Sequence, residues 1–161
     1  MKTYPNDLRI VYKMHPLPNH PFAQSAAQAA LAAQAQGKFT EMHELLLARY
    51  RTYNQVAVAK AAALGLPADQ VRGGEVQAAV FLDFAAELGL DLDRFADDFE
   101  SREVKARIAA ETKEVVAIGA TGTPASFVNG KYLRGAQPFA AFKAKVDEAL
   151  GQDGSAQIAS P

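Results

Sequence analysis

Three kinds of side chain in this sequence could do chemistry, and none of them forms a standard constellation. His15 and His20 lie five apart in the proline-rich run His15-Pro-Leu-Pro-Asn-His-Pro21, and His43 sits on a helical stretch between Glu41 and Glu44. A zinc site needs three or four such ligands to converge, and no spacing here forces that. The plain reading is loop and surface histidines. Asp97-Asp98 with Glu100 could work as a paired acid and base, but the cluster fits a solvated helix end. Ser25 and Ser126 have no convincing histidine and acid partners, which argues against a serine hydrolase. Cysteine is absent. That excludes a disulfide framework, a thiolate metal site and a cysteine nucleophile within these residues. No metal and no cofactor are expected. What remains is main chain: Thr121-Gly122-Thr123-Pro124, a breaker between a helix and a short β-type run. A helix ending at Gly119 and a strand starting within two residues of Pro124 leave little chain for the reversal. A cis Thr123–Pro124 bond would supply it.

The elements that must position these residues follow from composition and punctuation. The sequence has 161 residues, which favours one domain or one domain carrying a large insertion. Lys and Arg total 17 against 18 Asp and Glu. That balance gives no electrostatic footprint for nucleic acid or an anionic membrane surface. Hydrophobic residues make up 49%, so a buried core is within reach and disorder is not expected. Alanine, the strongest helix former, is roughly a fifth of the chain against ordinary usage. The longest small-apolar stretch, Ala23 to Ala35, is cut by Gln24, Ser25, Gln28 and Gln34 and is too short to span a bilayer. Lys2-Thr3-Tyr4-Pro5-Asn6-Asp7 offers no apolar signal region after Met1, so the expectation is a chain that is cytoplasmic as written or one whose targeting segment has been removed.

Leu8 to Met14 is β-branched and aromatic between two breakers and reads as a strand. Three prolines make His15 to Pro21 a loop, with Pro21 in the first turn of a helix over Phe22–Gln36 that Gly37 stops. Helical spacing of Phe39, Met42, Leu46 and Tyr50 marks a second helix. Asn54 is expected to cap a third over Val56–Leu64, and a fourth covers Glu75–Leu88. Asp91 caps a short helix holding Leu92, Phe95 and Phe99, and Ser101 caps a long one through Ile118. Ala62-Ala-Leu-Gly-Leu66 echoes Ala86-Glu-Leu-Gly-Leu90, two similar helix ends that are too few for a solenoid. Then the texture changes. Asn129-Gly130 between Ala125–Val128 and Lys131–Leu133 is a hairpin signal, because a type I′ turn needs positive φ at both central residues. Pro138 starts a last helix striped by Phe139, Phe142, Val146 and Leu150, and the tail from Gly151 to Pro161 reads as frayed. The expected class is α/β or α+β, a small sheet with about a hundred residues of helix inserted.

Thr121-Gly-Thr-Pro-Ala-Ser-Phe-Val-Asn-Gly-Lys-Tyr-Leu-Arg-Gly-Ala-Gln-Pro-Phe139 resembles the C-terminal half of DsbA-type thioredoxin-fold proteins. His15 to Pro21 with the following Ala pairs, and Gln36-Gly-Lys-Phe-Thr-Glu-Met-His43, are similar to further stretches of that family, with Thr40 where Trp is usual. Asn54-Gln55, Leu88-Gly-Leu-Asp91 and Phe95 also fit, so the likeness runs from about Leu8 to Leu150. It implies an incomplete thioredoxin-like fold. Residues 1–18 and 119–150 would form the core, 19–118 a helical insertion and 151–161 a flexible tail. Leu8–Met14 would correspond to the second core strand. The first core strand, the active-site helix and the Cys-x-x-Cys motif have no counterpart here.

The family's chemistry is thiol–disulfide exchange by a thiolate at a helix N-terminus, so the resemblance implies a chain without that activity. What it carries over is a peptide-binding loop. Gly122, Thr123 and Pro124 match the positions where the residue before the proline offers its main chain to an extended substrate, a mode that needs no side-chain chemistry. The resulting expectations are an inactive domain of a protein-disulfide oxidoreductase family, or a redox-dead module binding an extended peptide or protein client. A fragment of the related kappa-class glutathione transferases and isomerases is the further alternative. With its sheet incomplete, the chain is expected to self-associate, or to pair Leu8–Met14 with the hairpin directly.

Overall fold

A computed structural model describes residues 3–155, with side chains through Gly151. The element order is α1 Ala23–Ala35, α2 Phe39–Arg49, α3 Tyr53–Ala63, α4 Gly74–Glu87, α5 Leu92–Glu100, α6 Arg102–Ala117, β1 Ala125–Val128, β2 Lys131–Arg134 and α7 Phe139–Ser155. Short 3-10 turns precede α3 and α4. The chain divides into two compact units, one ending at Glu114 and the other starting at Val115.

The first unit is helical because its sequence is punctuated for helices and its apolar positions recur at helical spacing. Gly37 ends α1 with φ 74°, which lets its N–H reach Gln34 O and that of Lys38 reach Ala33 O. Asp91 caps α5 by accepting from Arg94 N, and the Ser101 hydroxyl accepts from Val104 N at the start of α6. Asn54 caps nothing. The helix α3 begins one residue before it, and no side chain caps its N-terminus. Alanines let α1 lie close to its neighbours: Ala29, Ala32 and Ala33 have no exposed surface, and α1 packs on α2, α4 and α5. Met42, Val76, Val80, Phe81, Phe84, Phe95 and Phe99 complete the core. Of the stripe on α2, Met42 and Leu46 are buried while Tyr50 lies out in solvent.

The expectation of a strand over Leu8–Met14 is corrected. The sheet among the described residues holds two strands, β1 and β2, and Leu8–Met14 is in neither. β-branched residues extend a chain, but a strand also needs a ladder partner. This segment instead finds side chains of α6. Met14 N donates to Glu111 Oε2 at 2.7 Å, the Thr112 hydroxyl donates to Met14 O, and Lys13 pairs with Glu114 at 2.8 Å. Met14 packs against a second small cluster of Ala27, Leu31 and Ile108. Tyr12 lies against the rings of Phe39 and His43, while Ile10 and Val11 stay more than half exposed.

The second unit is a hairpin with a helix on it. β1 and β2 pair antiparallel with Phe127 opposite Tyr132 and Val128 opposite Lys131. Asn129 and Gly130 both take positive φ, 45° and 82°, as a two-residue type I′ turn requires. β1 packs on α7, Lys131 reaches Glu148 on that helix, and Val146 is buried. α7 continues through Ser155, past the point where the sequence suggested a frayed tail. The stretch holds two glycines, Gly151 and Gly154, each costing only about 1 kcal/mol in a helix, and no proline intervenes before Pro161. The rest of that tail, from 156, lies outside the described residues.

Candidate peptide-binding edge

Hairpin register decides which main-chain groups face outward. In an antiparallel pair, residues alternate between hydrogen-bonded and non-hydrogen-bonded positions. A two-residue turn makes the closing pair, Val128–Lys131, hydrogen-bonded, and Ser126–Leu133 follows at the next such position. Gly135 N donates to Pro124 O at 2.9 Å, the next pair in the same phase. Ala125 and Phe127 therefore turn their N–H and C=O groups away from β2. Their pairs are the close-approaching kind, and the Phe127 and Tyr132 rings accordingly stack at 4.8 Å.

Thr123 precedes this row. It is exposed, and among the described residues nothing pairs with its N–H or C=O. The Thr123–Pro124 bond is cis. Gly122 is half-buried, and a β-carbon there would meet nothing within 4 Å. The three residues the sequence singled out thus sit together at the start of a strand edge. Sequence reasoning missed that Ala125 and Phe127 extend it. The signal was present: the Asn-Gly loop fixes register, and register fixes which residues face out.

The remaining candidates scatter. His43 is stacked on Phe39 with centroids 5.8 Å apart. Both ring nitrogens of His15 are buried without a hydrogen-bond partner, and His20 lies in a turn. Among the described residues no three His, Asp or Glu side chains converge as a metal would require. Ser25 donates to Gln77 Oε1 at 2.7 Å, an amide with no base character. Asp98 lies 3.9 Å from Arg94, and Glu100 pairs with Lys105. Lys131 and Lys145 beside Glu148 hold its carboxyl below the usual carboxylate range.

Mostly helix with one small antiparallel sheet and a C-terminal helix on it, the chain has an α/β, incomplete thioredoxin-like fold. Residues 70–147, just under half of the chain, match the model of the DSBA-like thioredoxin domain. Three curated relatives are similar across most of the chain. Na(+)/H(+) antiporter NhaA 1 of Salinispora arenicola is 36% identical over 145 residues, 89% of this chain and 19% of the relative. Na(+)/H(+) antiporter NhaA 3 of Salinispora tropica is 36% identical over 144 residues, 89% and 19%. Na(+)/H(+) antiporter NhaA of Herminiimonas arsenicoxydans is 35% identical over 130 residues, 81% and 17%. The chain therefore spans less than a fifth of the length of these relatives. No solved structure matches it. Among the described residues no helix is long and apolar enough to cross a membrane.

Proposed function

We propose that this chain is a thioredoxin-like module without redox chemistry of its own, which binds an extended peptide along Thr123, Ala125 and Phe127. The unpaired main-chain row at the outer edge of β1 is the observation that carries the reading. An incoming strand gains ladder hydrogen bonds there, and alternate side chains supply selectivity. The absence of cysteine supports the redox-inert half of the proposal, since exchange needs a thiolate. The same edge suits a second copy of the chain, so self-association belongs to the same reading.

The names of the relatives supply the setting we propose: a module carried by a membrane transport protein. Similarity over most of this chain but under a fifth of each relative leaves those proteins ample length for a transporter body. A fragment without a membrane-crossing helix among its described residues fits a part lying outside that body.

The test is an amide-resolved NMR titration of the chain with a cysteine-free, Val/Thr-rich peptide. Shifts concentrated at Thr123, Ala125 and Phe127 are expected. Ala125→Pro removes one outward N–H while sparing the inward ladder, a place where edge strands tolerate proline. It should weaken binding about fivefold, the equivalent of the ~1 kcal/mol of one hydrogen bond, while Ala125→Val keeps it. Shifts confined to the helical unit, or equal binding by both variants, would overturn the reading.

A further inference from the structure

The helical unit carries an apolar groove lined by its own residues. One wall is the face of α4 presenting Glu75, Ala78, Ala79 and Leu82, spaced three and four apart as neighbours on one helix face. The other is the face of α5 presenting Phe95, Ala96, Phe99 and Glu100, and Leu64 also lines the groove. The groove exists because the α4 ridge is interrupted by two alanines where larger side chains would fill it. Phe95 and Phe99 are its most deeply buried lining residues, 1% and 4% exposed, while Leu64 is 44% exposed.

Two properties select the occupant. The volume is about 260 Å³, below the ~300–1,000 Å³ that encloses a free drug-sized ligand. It seats one or two side chains of a larger partner. The rim is acidic: each wall contributes a carboxylate, Glu75 and Glu100, and no cation lines the groove. Lys105 of α6 already reaches Glu100 at 2.5 Å with both groups exposed, which shows that this carboxylate accepts an ammonium. Such an exposed pair contributes little net free energy and exchanges readily. Asp93 and Asp97, exposed and four apart, extend the negative sign along α5. The one cation of that helix, Arg94, is turned to Ala35 O and Asp98.

We propose that this groove receives a basic amphipathic helix of another protein. Leucine-type anchors would sit on Phe95 and Phe99, and flanking Lys or Arg would face Glu75 and Glu100, the helix-in-groove mode. A second copy of this chain fits poorly. Its only described helices with two or more cations, α6 and α7, interleave them with carboxylates.

The experiment is fluorescence anisotropy of the full chain with a labelled helical peptide of about five turns, ~18 residues, Leu on one face and Lys on the other. Saturable binding is expected, weakening as the Debye length shrinks from ~30 Å at 0.01 M to ~10 Å at 0.1 M salt. The double reversal Glu75→Lys with Glu100→Lys alters exposed residues only. It should weaken binding about tenfold or more, the effect of losing roughly 1.4 kcal/mol, with unchanged helix content. Ala79→Trp, which fills the groove, should do the same, and a Leu→Ser peptide should not bind. No binding by the Leu/Lys peptide would overturn the proposal. So would charge reversal alone mattering while Ala79→Trp and Leu→Ser change nothing, since that is diffuse surface attraction.

Discussion

Tyr53 shows how one residue ties the helical core together and makes it sensitive to pH. Its ring meets Phe22 at 5.6 Å, Phe81 edge-on at 5.6 Å and Phe84 at 6.1 Å. Its hydroxyl donates to Leu46 O at 2.8 Å, satisfying a carbonyl of α2. Burial disfavours the phenolate and pushes this phenol well above its ordinary 10.0. The folded pKa is raised, so the associated stability is present in full below the unfolded pKa near 10. It falls as pH rises from there toward the folded pKa, because only the unfolded state then loses the proton. Tyr53→Phe keeps the packing and deletes both the hydrogen bond and the titration. Denaturant unfolding at neutral pH should show a loss of about 1 kcal/mol. In the same experiment above pH 10, the wild type should decline more steeply than the variant. Parallel decline would mean that Tyr53 does not govern the alkaline limb.

At the scale of elements, Leu8–Met14 depends on a helix rather than a sheet. Glu111 is 8% exposed, accepting from Met14 N through one oxygen and from Arg107 through the other. Glu111→Ala would leave the Met14 N–H in a partly buried site without its acceptor, at a cost on the order of 1–3 kcal/mol. We expect faster hydrogen exchange at Met14 and quicker tryptic cleavage after Lys13, with α1 to α5 unaffected. Unchanged protection at Met14 would show that the small cluster of Met14, Ala27, Leu31 and Ile108 holds the segment alone.

At the scale of the whole molecule, a two-stranded sheet leaves outer edges open, and an isolated hairpin is marginal in water. Which edge pairs with a second copy can be argued from charge. Antiparallel self-pairing of Leu8–Met14 about Val11 sets Arg9 against Lys13, and self-pairing of β2 sets Lys131 against Arg134. Like charges directly opposite are destabilising. β1 has no charged residue, so it is the favourable edge. Gel filtration with light scattering should give a concentration-dependent mass approaching twice 17.2 kDa. Ala125→Pro or excess peptide should return the monomer. A monomer at every concentration would remove self-association from the proposed function without touching peptide binding.

Local rules settled much of this protein. Gly37, Asp91, Ser101 and the Asn129-Gly130 turn act through hydrogen bonds within a few residues, so helix ends and the hairpin could be read from residue types. The absence of thiol chemistry in these residues follows from composition. The loop at Gly122–Pro124 was legible because a breaker stands between a helix stop and a strand. Long-range partners were not legible. Leu8–Met14 has the composition of a strand, yet its state depends on whether another strand or Glu111, ninety-seven residues away from Met14, takes its main-chain groups. The groove between α4 and α5 was equally hidden. Ala78 and Ala79 read as ordinary helix formers, and only the placing of Phe95 and Phe99 opposite them makes a cavity. Sequence fixes what each residue can donate, accept or bury, while the tertiary structure decides which distant group is there to meet it.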